Sequence, residues 1–157
     1  MELDEFDRRL LAALQEDNRR TGEELAALVG LSAAACLRRA QRLRGSGVIE
    51  RDISVLAPEA VDLGLSLVVL VSVNRDRVDA ASHFTARMEK APEVGQCYSV
   101  TGDADFVLIV AVRDMKAYEA FTRRYFYERY VTRYETMVVI NRTKFSTVLP
   151  VAKADEP

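Results

Sequence analysis

Apolar side chains recur at helical spacing in three stretches of the first third of the chain, and each stretch begins at a residue that caps helices well. Asp4 and Ser32 are good N-cap residues, and Thr21 with Glu24 has the spacing of a capping box. A glycine or a polar pair follows each stretch. The pattern therefore predicts three helices, at residues 4–16, 21–30 and 32–44.

The second and third predicted helices are separated only by Gly30, Leu31 and Ser32. Two short helices joined by a three-residue turn that contains glycine are typical of a helix-turn-helix, with Leu31 filling the angle between them. A small three-helix bundle that does not bind DNA has the same spacing. The residues exposed on the third helix therefore distinguish between the two interpretations.

The third predicted helix has an apolar face, and opposite to it a face of small residues followed by arginines and a glutamine. At 100° per residue, Cys36, Ala40 and Leu43 share the apolar face. Small residues near its N-terminus let a recognition helix enter the major groove, where Arg or Gln reaches bases or phosphates. The helix N-terminus at Ser32 also suits a phosphate. The predicted DNA-binding residues are Ser32, Ala34, Ala35, Arg38, Gln41, Arg42 and Arg44.

The net charge of −2 hides an uneven distribution along the chain. Residues 1–31 carry eight acidic side chains and four arginines, whereas residues 32–51 carry five arginines and a single acid, Glu50. Solvated helix faces usually mix both signs, so this concentration of arginine favours DNA as the partner. Arg39 flanks the apolar face and is predicted to pair with an acid of the first helix rather than with DNA.

After residue 46 the apolar pattern indicates strands alternating with two further helices. Residues 47–56 predict a strand that leads away from the first helices, and residues 101–105 predict a tight hairpin turn. The order after Gly64 is β-α-β-β-α-β, the ferredoxin-like arrangement. The predicted strands lie at 65–73, 94–100, 106–112 and 133–140, with a short additional one at 144–149, and the predicted helices at 78–90 and 115–129.

The predicted fold class is α+β, with two domains. A winged-type helix-turn-helix of three helices occupies residues 1–50, and a strand and hinge linker occupies residues 51–62. A ferredoxin-like βαββαβ domain follows at residues 63–150, and a flexible tail at residues 151–157.

The strand at 65–73 is apolar on both of its faces. Leu65, Leu67, Val69, Val71 and Val73 form one face, and Val68 and Leu70 lie at the centre of the other. A sheet that helices cover on one side only should alternate apolar and polar residues. A second copy of the chain is the simplest cover for the other face. The pattern thus predicts a homodimer, and a two-fold dimer favours a palindromic DNA target.

The composition argues against several other classes of protein. Two cysteines and one histidine do not suffice for a disulfide framework or for a zinc site, and no glycine-rich phosphate loop or activated nucleophile is present. The acidic N-terminus is no secretory signal, and the apolar stretch at 63–73 is too short to cross a bilayer. We therefore expect a cytoplasmic protein that is not an enzyme and has no metal, cofactor or membrane partner.

Six stretches of the chain match one known family: residues 3–7 (LDEFD), 30–32 (GLS), 36–43 (CLRRAQRL), 47–49 (GVI), 97–106 (CYSVTGDADF) and 136–140 (TMVVI). Through them the chain resembles the Lrp/AsnC family of feast/famine transcriptional regulators, over nearly its whole length.

The resemblance implies that the C-terminal domain binds a small effector, usually an amino acid, and that dimers assemble further into octamers. It places the effector where domains of neighbouring dimers meet. Gly102 and Asp103 also have a plain interpretation as hairpin-turn residues. The effector-binding residues that the resemblance implies are Tyr98, Thr101, Gly102, Asp103, Asp105, Tyr134 and Thr136.

One stretch departs from the family pattern. Where family members usually have small residues after the second helix of this domain, residues 125–131 are bulky and aromatic (YFYERYV). These side chains either line a pocket for an apolar or aromatic effector or fill the pocket. Two functions therefore stay open, a regulator switched by a metabolite and a DNA-binding regulator or architectural protein without an effector.

Overall fold

The structure is a computed structural model in which residues 2–151 of the 157-residue chain are described. Its first part contains three helices whose predicted caps are confirmed. Asp4 accepts a hydrogen bond from the Asp7 backbone, Thr21 and Glu24 form a capping box, and Ser32 accepts from the Ala35 backbone. The helices are α1 Glu5–Glu16, α2 Gly22–Val29 and α3 Ala33–Gly45.

The second part of the chain forms the predicted βαββαβ arrangement. Its elements are β1 Leu65–Val73, α4 Ala80–Met88, β2 Val94–Ser99, β3 Phe106–Val112, α5 Met115–Tyr125 and β4 Val131–Val138. The four strands are antiparallel and lie in the order β2-β3-β1-β4, so the two most apolar strands, β1 and β3, are central. A short 3₁₀ helix, Pro58–Val61, precedes β1.

Each part has its own hydrophobic core. In the first part Leu10, Leu25 and Leu43 are fully buried among the three helices. In the second part alternate residues of β1 and β3 are buried against α4 and α5, with Phe84 and Phe121 as the largest buried side chains. The helices therefore cover one face of the sheet.

The contacts divide the described chain into residues 2–54 together with 144–151, and residues 55–143. This division differs from the predicted one, because the segment after residue 143 packs with the three helices and not with the sheet. Val151, placed at the start of the predicted flexible tail, is partly buried against the core of the first unit. Residues 152–157 of that tail lie outside the described residues.

Two predicted strands do not form, one predicted helix is too long, and the strand predicted at 133–140 lies at Val131–Val138. Residues 47–56 and 144–149 form no strand: Ile53, Val55 and Leu149 are exposed, and neither segment has a ladder partner in the part of the chain that the structure describes. Helix α5 ends at Tyr125 instead of continuing to residue 129, because Phe126 turns into the core. Within residues 2–151 no helix is long and apolar enough to span a membrane.

Candidate DNA-binding surface and effector site

The turn between α2 and α3 has the geometry of a helix-turn-helix. Gly30 ends α2 with a φ of 80°, a left-handed conformation that favours glycine, and its N–H donates to the Ala26 carbonyl. Leu31 is partly buried against the core of the three helices. The Ser32 hydroxyl then accepts the Ala35 N–H at 3.3 Å and begins α3. The chain therefore changes direction within three residues, as the sequence predicted.

Helix α3 has the predicted division into a core face and an exposed face. Cys36, Ala40 and Leu43 are at most 2% exposed. Arg38 and Gln41 project from the opposite side and are exposed. Among residues 2–151 Arg38 has no ion-pair partner, so its guanidinium remains available to another molecule. Ala34 is exposed and Ala35 half-buried, which leaves the first turn of α3 free of bulky side chains.

Arg42 differs from Arg38, because it is held by a buried carboxylate of α1. Its Nη2 donates to both oxygens of Asp7 at 2.6 Å, and Asp7 is only 1% exposed. Arg39 Nη1 donates to Asp7 at 2.8 Å and to Asp4 at 2.7 Å, which confirms the predicted pairing of Arg39 with an acid of the first helix. The Arg42 side chain nevertheless remains 49% exposed.

This cluster of Asp4, Asp7, Arg39 and Arg42 ties α1 to α3. A buried carboxylate is costly unless it is paired and hydrogen-bonded, and the two arginines satisfy Asp7. The backbone N–H of Asp7 and then the Arg39 guanidinium hold the pKa of Asp4 below its ordinary value. Asp7 was not among the predicted site residues. Its partner Arg42 lies 35 residues further along the chain, so sequence spacing carried no signal for the pair.

Arg44, the last predicted DNA-binding residue, is also paired. Its Nε donates to Asp52 at 2.7 Å, and this contact is the main cause that lowers the pKa of Asp52. Its side chain is 39% exposed. The structure thus distinguishes one unpaired arginine, Arg38, from two that intramolecular carboxylates hold in place at the edge of the same surface.

The candidate effector residues of the β2–β3 turn lie at one end of the sheet. Gly102 has a φ of 120°, and Thr101 and Asp103 beside it are exposed. Asp105 accepts the Val73 N–H at 2.9 Å and the Arg75 Nε at 2.8 Å. Val73 and Asp105 line a surface cavity of about 280 Å³. The other residues that line it are Asn74, Arg75, Arg77, Val78, Ala81, Ser99, Val100 and Phe106.

The remaining candidate effector residues do not join that cavity within one chain. Thr136 pairs with Val69 and bonds through its hydroxyl to Tyr118 at 2.5 Å, on the face that the helices cover. Tyr134 lies on the same face, with its ring 4.9 Å from that of Phe126. Tyr98 is 51% exposed and pairs with Val107 in the ladder.

A second surface cavity, of about 130 Å³, joins the β2–β3 turn to the open face of the sheet. Asp103 lines it from the turn, and Arg133 and Glu135 line it from β4. These two residues alternate with the candidate residue Tyr134, so the open face presents the charged side chains of β4. Arg75 on the first cavity, and Arg133 and Glu135 on this one, were missed in the sequence, where they were only charged residues in or beside a strand.

Most aromatic residues at the end of α5 and directly after it fill space inside the chain's own core. Tyr125 and Phe126 are each 4% exposed, and the Phe126 ring contacts those of Phe84, Phe121 and Tyr134. Only Tyr127, at 74% exposed, faces solvent. Most of this bulk is therefore core.

Comparison with known proteins identifies the two parts of the chain. An AsnC-type helix-turn-helix domain matches residues 3–44, and an Lrp/AsnC ligand binding domain matches residues 66–149. The chain belongs to the Lrp/AsnC family. It is therefore a transcriptional regulator with a helix-turn-helix and a ligand-binding domain, not an enzyme.

Individual members of the family align over most of the chain. An HTH-type transcriptional regulator of Sinorhizobium fredii is 49% identical over 152 residues, which are 96% of this chain and 90% of the relative. The leucine-responsive regulatory protein of Escherichia coli K12 is 38% identical over 74% of this chain and 71% of its own length. A transcriptional regulator of Neisseria meningitidis, solved in complex with L-methionine, superposes with a TM-score of 0.90 at 34% identity, covering 96% of this chain and 97% of that one.

Proposed function

We propose that this regulator binds promoter DNA as a homodimer, with the exposed face of α3 in the major groove, and that an amino acid bound near the β2–β3 turn adjusts the affinity. The observation that carries the DNA contact is the exposed, unpaired Arg38 on a helix face whose first turn is small. An arginine in the groove reads guanine bidentately, and alanine methyl groups fit against thymine. Gln41, about one helical turn beyond Arg38, suits adenine on the same face.

Arg42 and Arg44 are proposed as phosphate contacts. Each donates to one carboxylate but has further N–H groups on a partly exposed guanidinium. A guanidinium that is already oriented loses less freedom when it meets a phosphate. Phosphate contacts set the position of the helix, whereas Arg38 and Gln41 supply the sequence preference.

The open face of the sheet supports the homodimer. Val68 on β1 has Ile109 of β3 on one side and Met137 of β4 on the other, and Leu70 lies next to Val107. These β1 and β3 side chains are half-buried in the single chain and Met137 is 43% exposed, so an apolar strip faces outward. A second copy covers this strip by two-fold symmetry, and the pair of recognition helices then fits a palindromic site. Assembly of such dimers into octamers is part of the same proposal.

The cavity beside Asp105 supports an amino-acid effector. A free amino acid needs acceptors for its ammonium group and donors for its carboxylate, and Asp105 with Arg75 supplies one of each within 2.8 Å of one another. The L-methionine in the Neisseria meningitidis regulator supports the same ligand class. Thr101, Gly102 and Asp103 border this end of the sheet, while Tyr98, Tyr134 and Thr136 belong to the site if a neighbouring subunit completes it.

A regulator without an effector is the second candidate function. The burial of Tyr125 and Phe126 favours it, because these side chains occupy space that smaller residues leave open. The two candidates share the DNA-binding surface and differ only in whether amino acids change the DNA affinity.

Binding of the purified protein to the DNA upstream of its own gene tests the proposal, at two salt concentrations and with and without a pool of the common amino acids. Specific binding that falls steeply with salt supports the DNA surface, because neutralised phosphates release counterions. An affinity that the pool changes in the parent but not in Asp105→Asn supports the effector site. An unchanged affinity favours the second candidate, and a flat salt response contradicts the DNA surface.

A further inference from the structure

The segment that follows the sheet domain returns to the helix-turn-helix and lies along α1. Gln15 makes two hydrogen bonds with the backbone of Leu149: its Nε2 donates to the Leu149 carbonyl at 3.0 Å, and its Oε1 accepts the Leu149 N–H at 2.7 Å. Arg8 Nη1 donates to the Val151 carbonyl at 3.0 Å. We call residues 144–151 the C-terminal strap.

The strap is attached to one face of α1 at both ends of that helix. Arg8 and Gln15 are seven residues apart, which places them on the same side, two turns from one another. Leu149 meets the C-terminal end of α1 and Val151 the N-terminal half, so the strap runs antiparallel to the helix. Val151 also packs against the core of the three helices. The Gln15 amide bonds both the N–H and the carbonyl of Leu149. In a sheet, a neighbouring strand would supply these two bonds.

Helix α1 is the element that orients the arginines of α3. Asp7, which bonds Arg39 and Arg42, directly precedes Arg8, which bonds the strap. Loosening of the strap therefore frees α1 at the point where it positions the recognition helix. Only residues 139–143 separate the end of β4 from the strap, so the sheet domain is joined to the DNA-binding unit through this segment as well as through residues 50–64.

We propose that the C-terminal strap is a working part of the DNA-binding unit, and that the DNA affinity of this regulator depends on its attachment to α1 through Gln15, Arg8 and Val151. The inference rests on the proposed function for its DNA readout. It adds a second connection through which a change at β4 reaches the recognition helix.

Gln15→Ala in the full chain is the first test, because it removes both bonds to Leu149 and leaves the core residues in place. Asn18→Ala is the matched control: Asn18 is also a half-buried neutral amide near the end of α1, but its side chain bonds Asp52 and not the strap. Asp52 keeps its shorter bond to Arg44 in this variant. We expect Gln15→Ala to weaken specific DNA binding by about ten-fold, the factor that one or two net hydrogen bonds correspond to. Asn18→Ala should bind like the parent.

Amide hydrogen exchange of the same variants, without DNA, separates the strap from the proposed function. The parent should protect the Leu149 amide, whose N–H donates to Gln15. Gln15→Ala should lose this protection and speed exchange in α1, while β1–β4 stay unchanged. A parent strap that exchanges like an unfolded chain, or a Gln15→Ala variant that binds DNA as the parent does, overturns the inference. If the parent protects the strap but binds no DNA, the proposed function is contradicted. In that case the strap is attached to α1, but it has no effect on DNA affinity.

A chain that ends at Thr143 provides a larger perturbation. We expect it to keep the sheet domain, whose core lies within residues 55–143, and to lose more DNA affinity than Gln15→Ala. A truncated protein with intact DNA affinity overturns the inference. If the truncated chain unfolds, the DNA affinity of Val151→Asp is compared with that of the parent instead. This variant should detach the strap, because it places a charge against the core of the three helices.

Discussion

At the scale of single residues, Arg38 and Arg42 are both exposed on α3, but only Arg42 has a structural partner. Arg38→Ala should lower DNA affinity about ten-fold or more, the usual loss for an arginine that contacts a base, and leave thermal stability unchanged. Arg42→Ala should lower DNA affinity and also destabilise the protein by about 1–3 kcal/mol, because the buried Asp7 loses a charged partner. DNA titrations and circular-dichroism melts of both variants measure the difference. Equal melting temperatures for the two would contradict the role of Asp7, and Arg9→Ala, an exposed pair on α1, is the control.

The same cluster predicts a response to acid. The pKa of Asp4 is lowered in the folded protein, so this group stabilises the fold above its unfolded value of 3.8, and the contribution is lost as the pH falls through the folded pKa. Asp4→Asn keeps a good N-cap but cannot titrate. We expect the melting temperature of the parent to fall more steeply than that of Asp4→Asn between about pH 5 and pH 3. Parallel curves would show that the charge of Asp4, which the Asp7 N–H and Arg39 stabilise, adds nothing to the stability of the fold.

At the scale of elements, the turn between α2 and α3 is the most constrained part of the helix-turn-helix. Gly30→Ala forces an L-residue into the left-handed region and should cost roughly 1–2 kcal/mol, although no atom lies within 4 Å of the added Cβ. Gly45→Ala is the matched control. It also meets no neighbour, but Gly45 ends α3 without a positive φ, so alanine there should be neutral or stabilising. Chemical denaturation of both variants tests this, and an equal effect would contradict the strained turn.

The elements that the sequence predicted well are those whose signals are local. The caps at Asp4, Thr21 and Ser32 placed the helix starts, and the alternating apolar residues placed Leu65–Val73 and Phe106–Val112 with their bounds unchanged. The pairing of Arg39 was predictable because it flanks the core face. The predictions that were wrong concern segments whose structure depends on residues far away in the sequence. The β-branched residues of 47–56 look like a strand but have no neighbouring strand within residues 2–151. The attachment of residues 144–151 to α1 joins positions more than 130 residues apart.

At the scale of the whole molecule, the half-buried strip on the open face of the sheet sets the oligomeric state that we expect. Val68 lies at its centre, between Ile109 and Met137. Val68→Asp places a charge where a second copy has to pack, and an unpaired charge is costly to bury. Val78→Asp is the matched control, because Val78 is fully exposed and outside this face. We expect Val68→Asp to be a folded monomer in sedimentation equilibrium at micromolar concentration, while Val78→Asp and the parent are dimers or larger.

The consequence for DNA follows from symmetry. Two recognition helices that are joined in one dimer bind the second half-site at a high effective concentration, so loss of the dimer should weaken binding to a palindromic site by at least about 100-fold. Binding to a single half-site should change little, because α3 and its arginines are untouched. Val68→Asp should therefore bind the full site and the half-site with similar affinity, whereas the parent prefers the full site. A Val68→Asp protein that remains dimeric would place the subunit interface elsewhere, and a monomer that still prefers the full site would contradict the two-fold arrangement on DNA.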